Sequence, residues 1–362
     1  MLKHSFKKDY IFILILFLFI SFMSMADETP VKPDNNYKLI PVFSLQEPLI
    51  YQNLAIFPVK LQEGSKKLNL LTLDEAMKRE YLVIKEIQDG QVNSVELENI
   101  SDRWIFLLSG EIIAGAKQNR MIARDTLIPP KSGKIKEQVF CVEHGRWVHE
   151  SEKFGSNEVN CNMDVRQAAK QTNDQSTVWS KVSENTKISN KENPTGKFDV
   201  IYEDKEIQNK IDEYMKTFSN LTKENKDMTG VIVVVGSEIK GADVFGDRDL
   251  FEKLWPKLLK SYITDALMRE KIEKPAIKEK DIEKFLNKVK EAKIEKDSSS
   301  VAGTRLDFSS KEVVGGIILD KNENMVHYVQ FPYKKEINKG NSNTQNQINV
   351  QQQINAPVND NR

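Results

Sequence analysis

Cysteine and histidine are scarce in this chain of 362 residues, which contains two and four of them. Cys141, His144, His149 and Cys161 fall within a short span, but their spacing matches no standard zinc module, so no metal is implied. Net charge is missing as well, since 53 basic side chains balance 53 acidic ones. Without a basic excess there is no electrostatic ground for binding nucleic acid or anionic lipid. Long apolar runs are confined to residues 11–23, broken by Ser21, and that run is shorter than the ~20 residues a membrane-spanning helix needs. The familiar catalytic motifs are absent. Gly236 and Gly241 have the spacing of a phosphate loop, but Ala242 and Asp243 stand where Lys and Ser/Thr belong. Ser237 and Lys240 match S-x-x-K only as letters in a predicted hairpin turn, and His149-Glu150 lacks the second histidine of a zinc-protease helix. No cofactor is implied.

What is present starts at the N-terminus. Lys3, Lys7 and Lys8, the apolar run, and Ser24-Met25-Ala26 as a small-x-small cleavage site read as a secretory signal peptide over residues 1–26. The protein is therefore expected to be secreted, periplasmic or extracellular, with no stable membrane insertion after cleavage; an uncleaved anchor is the competing reading. Cleavage removes three lysines and one aspartate and leaves a formal net charge of about −2. In an oxidising compartment Cys141 and Cys161 are expected to form a disulfide, which would add on the order of 3 kcal/mol if unstrained. Two separate buried thiols are the other reading. Residues 338–362 are rich in Asn and Gln without periodicity and predict a disordered tail.

The pattern between the ends predicts an α+β protein. Residues 54–61 read as a strand, with Pro58 at an edge or a break in pairing. Thr72 and Glu75 form a capping box for a short helix to about Arg79. A hairpin follows over 81–99 with its turn at 88–90, then a doubly buried strand at 103–108 and a half-buried one at 134–142. The residue range 38–182 is thus expected to be a mainly antiparallel β domain, a sandwich or open barrel. Asp174 can cap a helix carrying Val178, Trp179 and Val182, and 183–197 reads as a linker. Residues 198–333 predict an α+β domain packed on the first, a small sheet covered by helices. Its elements are an apolar face at Ile207, Ile211, Tyr214 and Phe218, a hairpin at 230–245, a helix capped by Asp249 and kinked or restarted at Pro256, a helix around Phe285, and strands at 313–319 and 325–331. Asp243, Asp247 and Asp249 have a spacing that could hold Ca²⁺, but capping explains them more simply.

The chemistry concentrates between Gly110 and Trp147, where charge and glycine interrupt strand-like segments. Lys117, Gln118, Asn119 and Arg120 follow a tight turn, and downstream Glu143, Arg146 and Trp147 cluster around Gly145. If the two segments are neighbours, these residues could bind a small anionic or sugar-like ligand, with Trp147 stacking on it. The other reading is a structural network in which Glu111 and Glu143 pair with these cations. Glu111 and Glu143 are also the candidate acid and base of a hydrolase.

The run 107–147 with its GAKQNR and CVEHGRW strings, together with Trp179, the hairpin 230–245 and the Leu254-Trp255-Pro256-Lys257 string with Tyr262, resembles the ARG and rhodanese-phosphatase-superfamily-associated domain family. The resemblance spans about residues 48–331. It implies association with ADP-ribosyl-glycohydrolases and phosphatases, and no particular reaction. The expected function is a secreted module binding an unidentified ligand or a protein partner. The alternatives are a hydrolase of a phosphoester or glycosidic bond and an envelope assembly protein without a small-molecule site.

Overall fold

A computed structural model describes residues 40–338, apart from Glu270 and Ile272. The expected signal peptide and, but for Asn338, the expected tail lie outside the described residues. The fold is α+β, built on antiparallel sheets, as the pattern predicts.

The largest sheet has nine strands. Its order is Phe43–Leu45, Leu54–Leu61, Gly230–Val235, Glu238–Phe245, Met325–Pro332, Val313–Leu319, Thr304–Ser309 and Lys293–Asp297, with Leu49–Tyr51 also paired to Leu54–Leu61. It is larger than the small sheet expected, because strands from the beginning of the chain extend it. Val231 lies opposite Pro58 and Ile232 opposite Phe57, so pairing crosses the expected linker at 183–197. Pro58 sits in a break. Residues 54–56 pair with Leu49–Tyr51 and residues 59–61 with Phe43–Leu45, so no ladder partner faces its missing N–H.

A six-stranded sheet runs Phe154–Asn160, Glu111–Gly115, Arg120–Ile122, Gly133–Cys141, Ser94–Asn99 and Leu82–Gln91, and a three-stranded one joins Thr126–Ile128, Ile105–Leu107 and Leu71–Thr72. The turn expected at 88–90 is instead an irregularity inside a longer strand. Gln88 (φ 53°) and Gly90 (φ 101°) are left-handed there, pairing shifts between Glu86 and Gln91, and the chain reverses after Gln91.

The capping signals at Thr72 and Asp174 act as read. The Thr72 hydroxyl accepts from Glu75 N, and Glu75 accepts from Thr72 N, opening the helix Leu73–Lys78. Asp174 caps Gln175–Thr186. The long helix Arg248–Leu267 is capped by Asp247 rather than Asp249, and it continues through Pro256. That helix lies against Gly230–Val235, Glu238–Phe245 and Phe154–Asn160, and Trp255, Leu258, Leu259 and Tyr262 are buried in the main core. Among the described residues no helix is long and apolar enough to cross a membrane.

The expected disulfide is not formed: Cys141 and Cys161 are free, buried thiols. They serve different surroundings. The Cys141 thiol donates toward Gln118 Oε1 and Glu143 O, both at 3.3 Å, whereas Cys161 packs into the main hydrophobic core. Burial raises the pKa of both, so they remain protonated.

Candidate functional site

A tight turn positions the first half of the site. Gly115 (φ 110°) and Ala116 (φ 45°) reverse the chain between Glu111–Gly115 and Arg120–Ile122, so Lys117, Gln118 and Asn119 stand at the tip. The segment leaving Gly133–Cys141 brings Glu143, Arg146 and Trp147 beside them. The two segments are neighbours, as the sequence reading required.

Arg146 is the tie between them. Its Nη1 donates to Ala116 O (2.9 Å), and its Nη2 donates to Asn119 Oδ1 (3.1 Å) and Glu143 Oε2 (2.6 Å). Glu143 also accepts from Asn119 N (3.0 Å) and Thr195 Oγ1 (2.9 Å). Burial alone would raise the Glu143 pKa, but the bonds from Arg146, Asn119 and Thr195 outweigh it and hold the carboxyl below its ordinary range. Asn119 Nδ2 reaches Asp199. This half is a structural network, in which Arg146 Nε is left without a hydrogen-bond partner among the described residues.

Arg120 is different. It is 0% exposed, donates from Nη1 to Gln118 Oε1 (3.0 Å), and its Nη2 lies 3.6 Å from Glu86 Oε1, too far for a good hydrogen bond. Among the described residues, its Nε and Nη2, and Glu86 Oε2, have no hydrogen-bond partner. The half-buried Trp147 ring sits 6.0 Å from the Arg120 guanidinium and 5.1 Å from Lys117 Nζ. An aromatic face, two cations and one carboxylate thus meet around unpaired polar atoms.

Glu111 belongs elsewhere. One oxygen accepts from Leu108 N (2.8 Å) and the other from Lys257, which also pairs with Asp74 at 2.5 Å. Burial pushes its pKa up to about 6 against the pull of Lys257. It is therefore not the partner of Glu143 in an acid–base pair.

Sequence reading missed Glu86, Thr195 and Asp199. Glu86 reads as an ordinary solvent-facing strand residue, and the other two lie in or beside the expected linker. It also missed a buried chain of charges. Arg166 grips Asp243 with both terminal nitrogens (2.9 and 2.7 Å), Tyr262 donates to Asp243 (2.7 Å), and His327 lies between Asp125 (2.6 Å) and Asp243 (3.1 Å). Both ring nitrogens face carboxylates and must donate, which makes His327 an imidazolium with no lone pair left for base catalysis. Burial would lower its pKa, but Asp125 and Asp243 raise it overall; burial would raise that of Asp125, but His327 brings it down to about 2. Among the described residues no group of three or more His, Cys, Asp or Glu is placed to hold a metal ion.

An α+β fold on large antiparallel sheets, with ion networks buried between its sheets and helices, defines the class. Within it, the chain belongs to the ARG and Rhodanese-Phosphatase-superfamily-associated Protein domain family, whose model matches residues 43–331. No curated protein and no solved structure matches the chain.

Proposed function

We propose that this protein is a secreted ligand-binding module that takes a neutral, sugar-like molecule at Arg120, Glu86 and Trp147. The observation that carries the reading is Arg120, a fully buried guanidinium with two nitrogens lacking acceptors. Leaving such donors unpaired costs more than the ~1–3 kcal/mol of a neutral group, so something polar is expected to fill the position. Glu86 argues against an anion there, since its own free oxygen would repel one. A hydroxyl answers both needs, accepting from Arg120 and donating to Glu86 Oε2. Trp147 supplies a face on which the apolar side of a sugar ring can stack.

A hydrolase using Glu111 and Glu143 as its acid and base would need both uncommitted. Glu111 is held by Lys257 and Leu108 N, and Glu143 by Arg146, Asn119 and Thr195, so binding is the better supported reading. The test uses chain recovered outside the cytoplasm with its N-terminus at Asp27, titrated with mono- and disaccharides by calorimetry and tryptophan fluorescence. Saturable binding that Trp147→Ala weakens about tenfold or more, with the melting temperature kept, is the expected result. If no saccharide binds, or the substitution leaves affinity intact, the reading fails. A chain that instead stays in the cytoplasm, or keeps residues 1–26, removes its secreted part.

A further inference from the structure

We infer that the crevice between the helix Met163–Thr172 and the strands Thr304–Ser309 and Val313–Leu319 is a second binding site, for a small oxyanion of the phosphate class. The crevice shares no residue with the Arg120 site and does not depend on it. Its cavity is about 20 Å³, enough for one water-sized atom. Arg166 lies on its wall with 1% of its side chain exposed. Both terminal nitrogens of Arg166 are spent on Asp243, but its Nε has no hydrogen-bond partner among the described residues. Beside it, Asn160 is buried with neither amide atom partnered among the described residues. The two side chains crowd Gly110: a Cβ there would meet Asn160 Oδ1 at 2.7 Å and Arg166 Cδ at 2.8 Å. An unpaired buried donor, Arg166 Nε, therefore belongs to a residue on the wall of a cavity the size of a single oxygen.

Toward solvent the lining becomes more cationic. Arg124 and Lys170, with 24% and 18% of their side chains exposed, stand near the opening, and Arg305 lines it as well. The carboxylates present are already engaged. Asp125 serves His327 and Ser109 N, Asp307 serves Lys170, and Asp297 serves both Arg124 and Arg305. An incoming anion would thus meet neutralised acids and compete for partly exposed cations. Cations at two depths suit an ion with several acceptor oxygens better than a halide, one oxygen entering toward Arg166 Nε and the others meeting Lys170 and Arg124 at the mouth. Gly316 keeps that mouth open, since a Cβ there would lie 2.8 Å from Lys170 Nζ.

The probe is inorganic phosphate, titrated into the purified chain by calorimetry against sodium chloride at matched ionic strength. Saturable phosphate binding is expected, weakened about tenfold by Lys170→Gln and again by Arg124→Gln. Both side chains lie at the rim, and circular dichroism verifies that the variants fold; should either unfold, Gly316→Ala, which narrows the mouth, takes its place with the same expected loss. A crystal grown in phosphate should show a tetrahedral ion at the mouth, between Lys170 and Arg124, with one oxygen directed toward Arg166. Heats no larger than those of chloride, wild-type affinity in the folded variants, or only a water or halide in the crevice would overturn the inference.

Discussion

Glu111 shows how a single buried carboxyl acquires a pH dependence. Water is removed from it completely, and Lys257 returns only part of the lost solvation, so its pKa stands at about 6 instead of 4.5. The folded chain therefore binds this proton more tightly than the unfolded chain does. Stability from this group is fully present below about pH 4.5 and is lost as pH rises through 6. The expected outcome is that the stability of the wild type relative to Glu111→Gln grows by about 2 kcal/mol as pH falls from 7 to 4, read from urea unfolding at several pH values. A difference that stays flat, or shrinks toward acid pH, would mean that the carboxyl is solvated. Asp125 runs the other way: its contribution is present above the ordinary aspartate range and disappears as pH falls toward 2. Neither shift is legible in sequence, because each depends on a partner more than 140 positions away, Lys257 for Glu111 and His327 for Asp125.

At the scale of elements, caps and periodicity were readable because they act within one or two turns. The capping box at Thr72 and the apolar face Ile207, Ile211, Tyr214 and Phe218 stand where the pattern puts them. The start of the long helix differs by two residues for a physical reason. Asp247 is extended and accepts from Asp249 N and Leu250 N, and its second oxygen accepts from Leu68 N, a long-range bond that no local pattern announces. Asp249 is left in the first turn, where it complements the helix dipole and lies 3.9 Å from Lys67 Nζ in an exposed ion pair. Asp247→Ala should accordingly cost about 1–2 kcal/mol in thermal or urea unfolding, and Asp249→Ala about 0.5 kcal/mol. Equal costs would show that the cap is shared. The helix also passes through Pro256, where a kink or a fresh start was expected, and its flanking turns are held by Trp255, Leu258 and Leu259 in the core.

For the whole molecule the decisive fact is that both ends of the described chain build one sheet. Gly230–Val235 lies between Leu54–Leu61 and Glu238–Phe245, so a fragment of residues 198–338 would begin with its most apolar strand as an open edge. That fragment is expected to aggregate or to lack dispersed amide resonances, while residues 40–338 give a folded spectrum. A soluble, well-dispersed 198–338 fragment would show that the strands from the beginning of the chain are dispensable to the sheet.

The sequence by itself determined the α+β class, the main helices and about half of the strands, and it named 117–120 and 143–147 as segments that would form a site if they met, because alternation, helical period, caps and turns are local. Tertiary structure alone decided which cations face which carboxylates, that Cys141 and Cys161 stay apart, and that strands separated by more than 170 residues pair. Those outcomes depend on burial and on distances between remote segments, and neither quantity is written in any stretch of neighbouring residues.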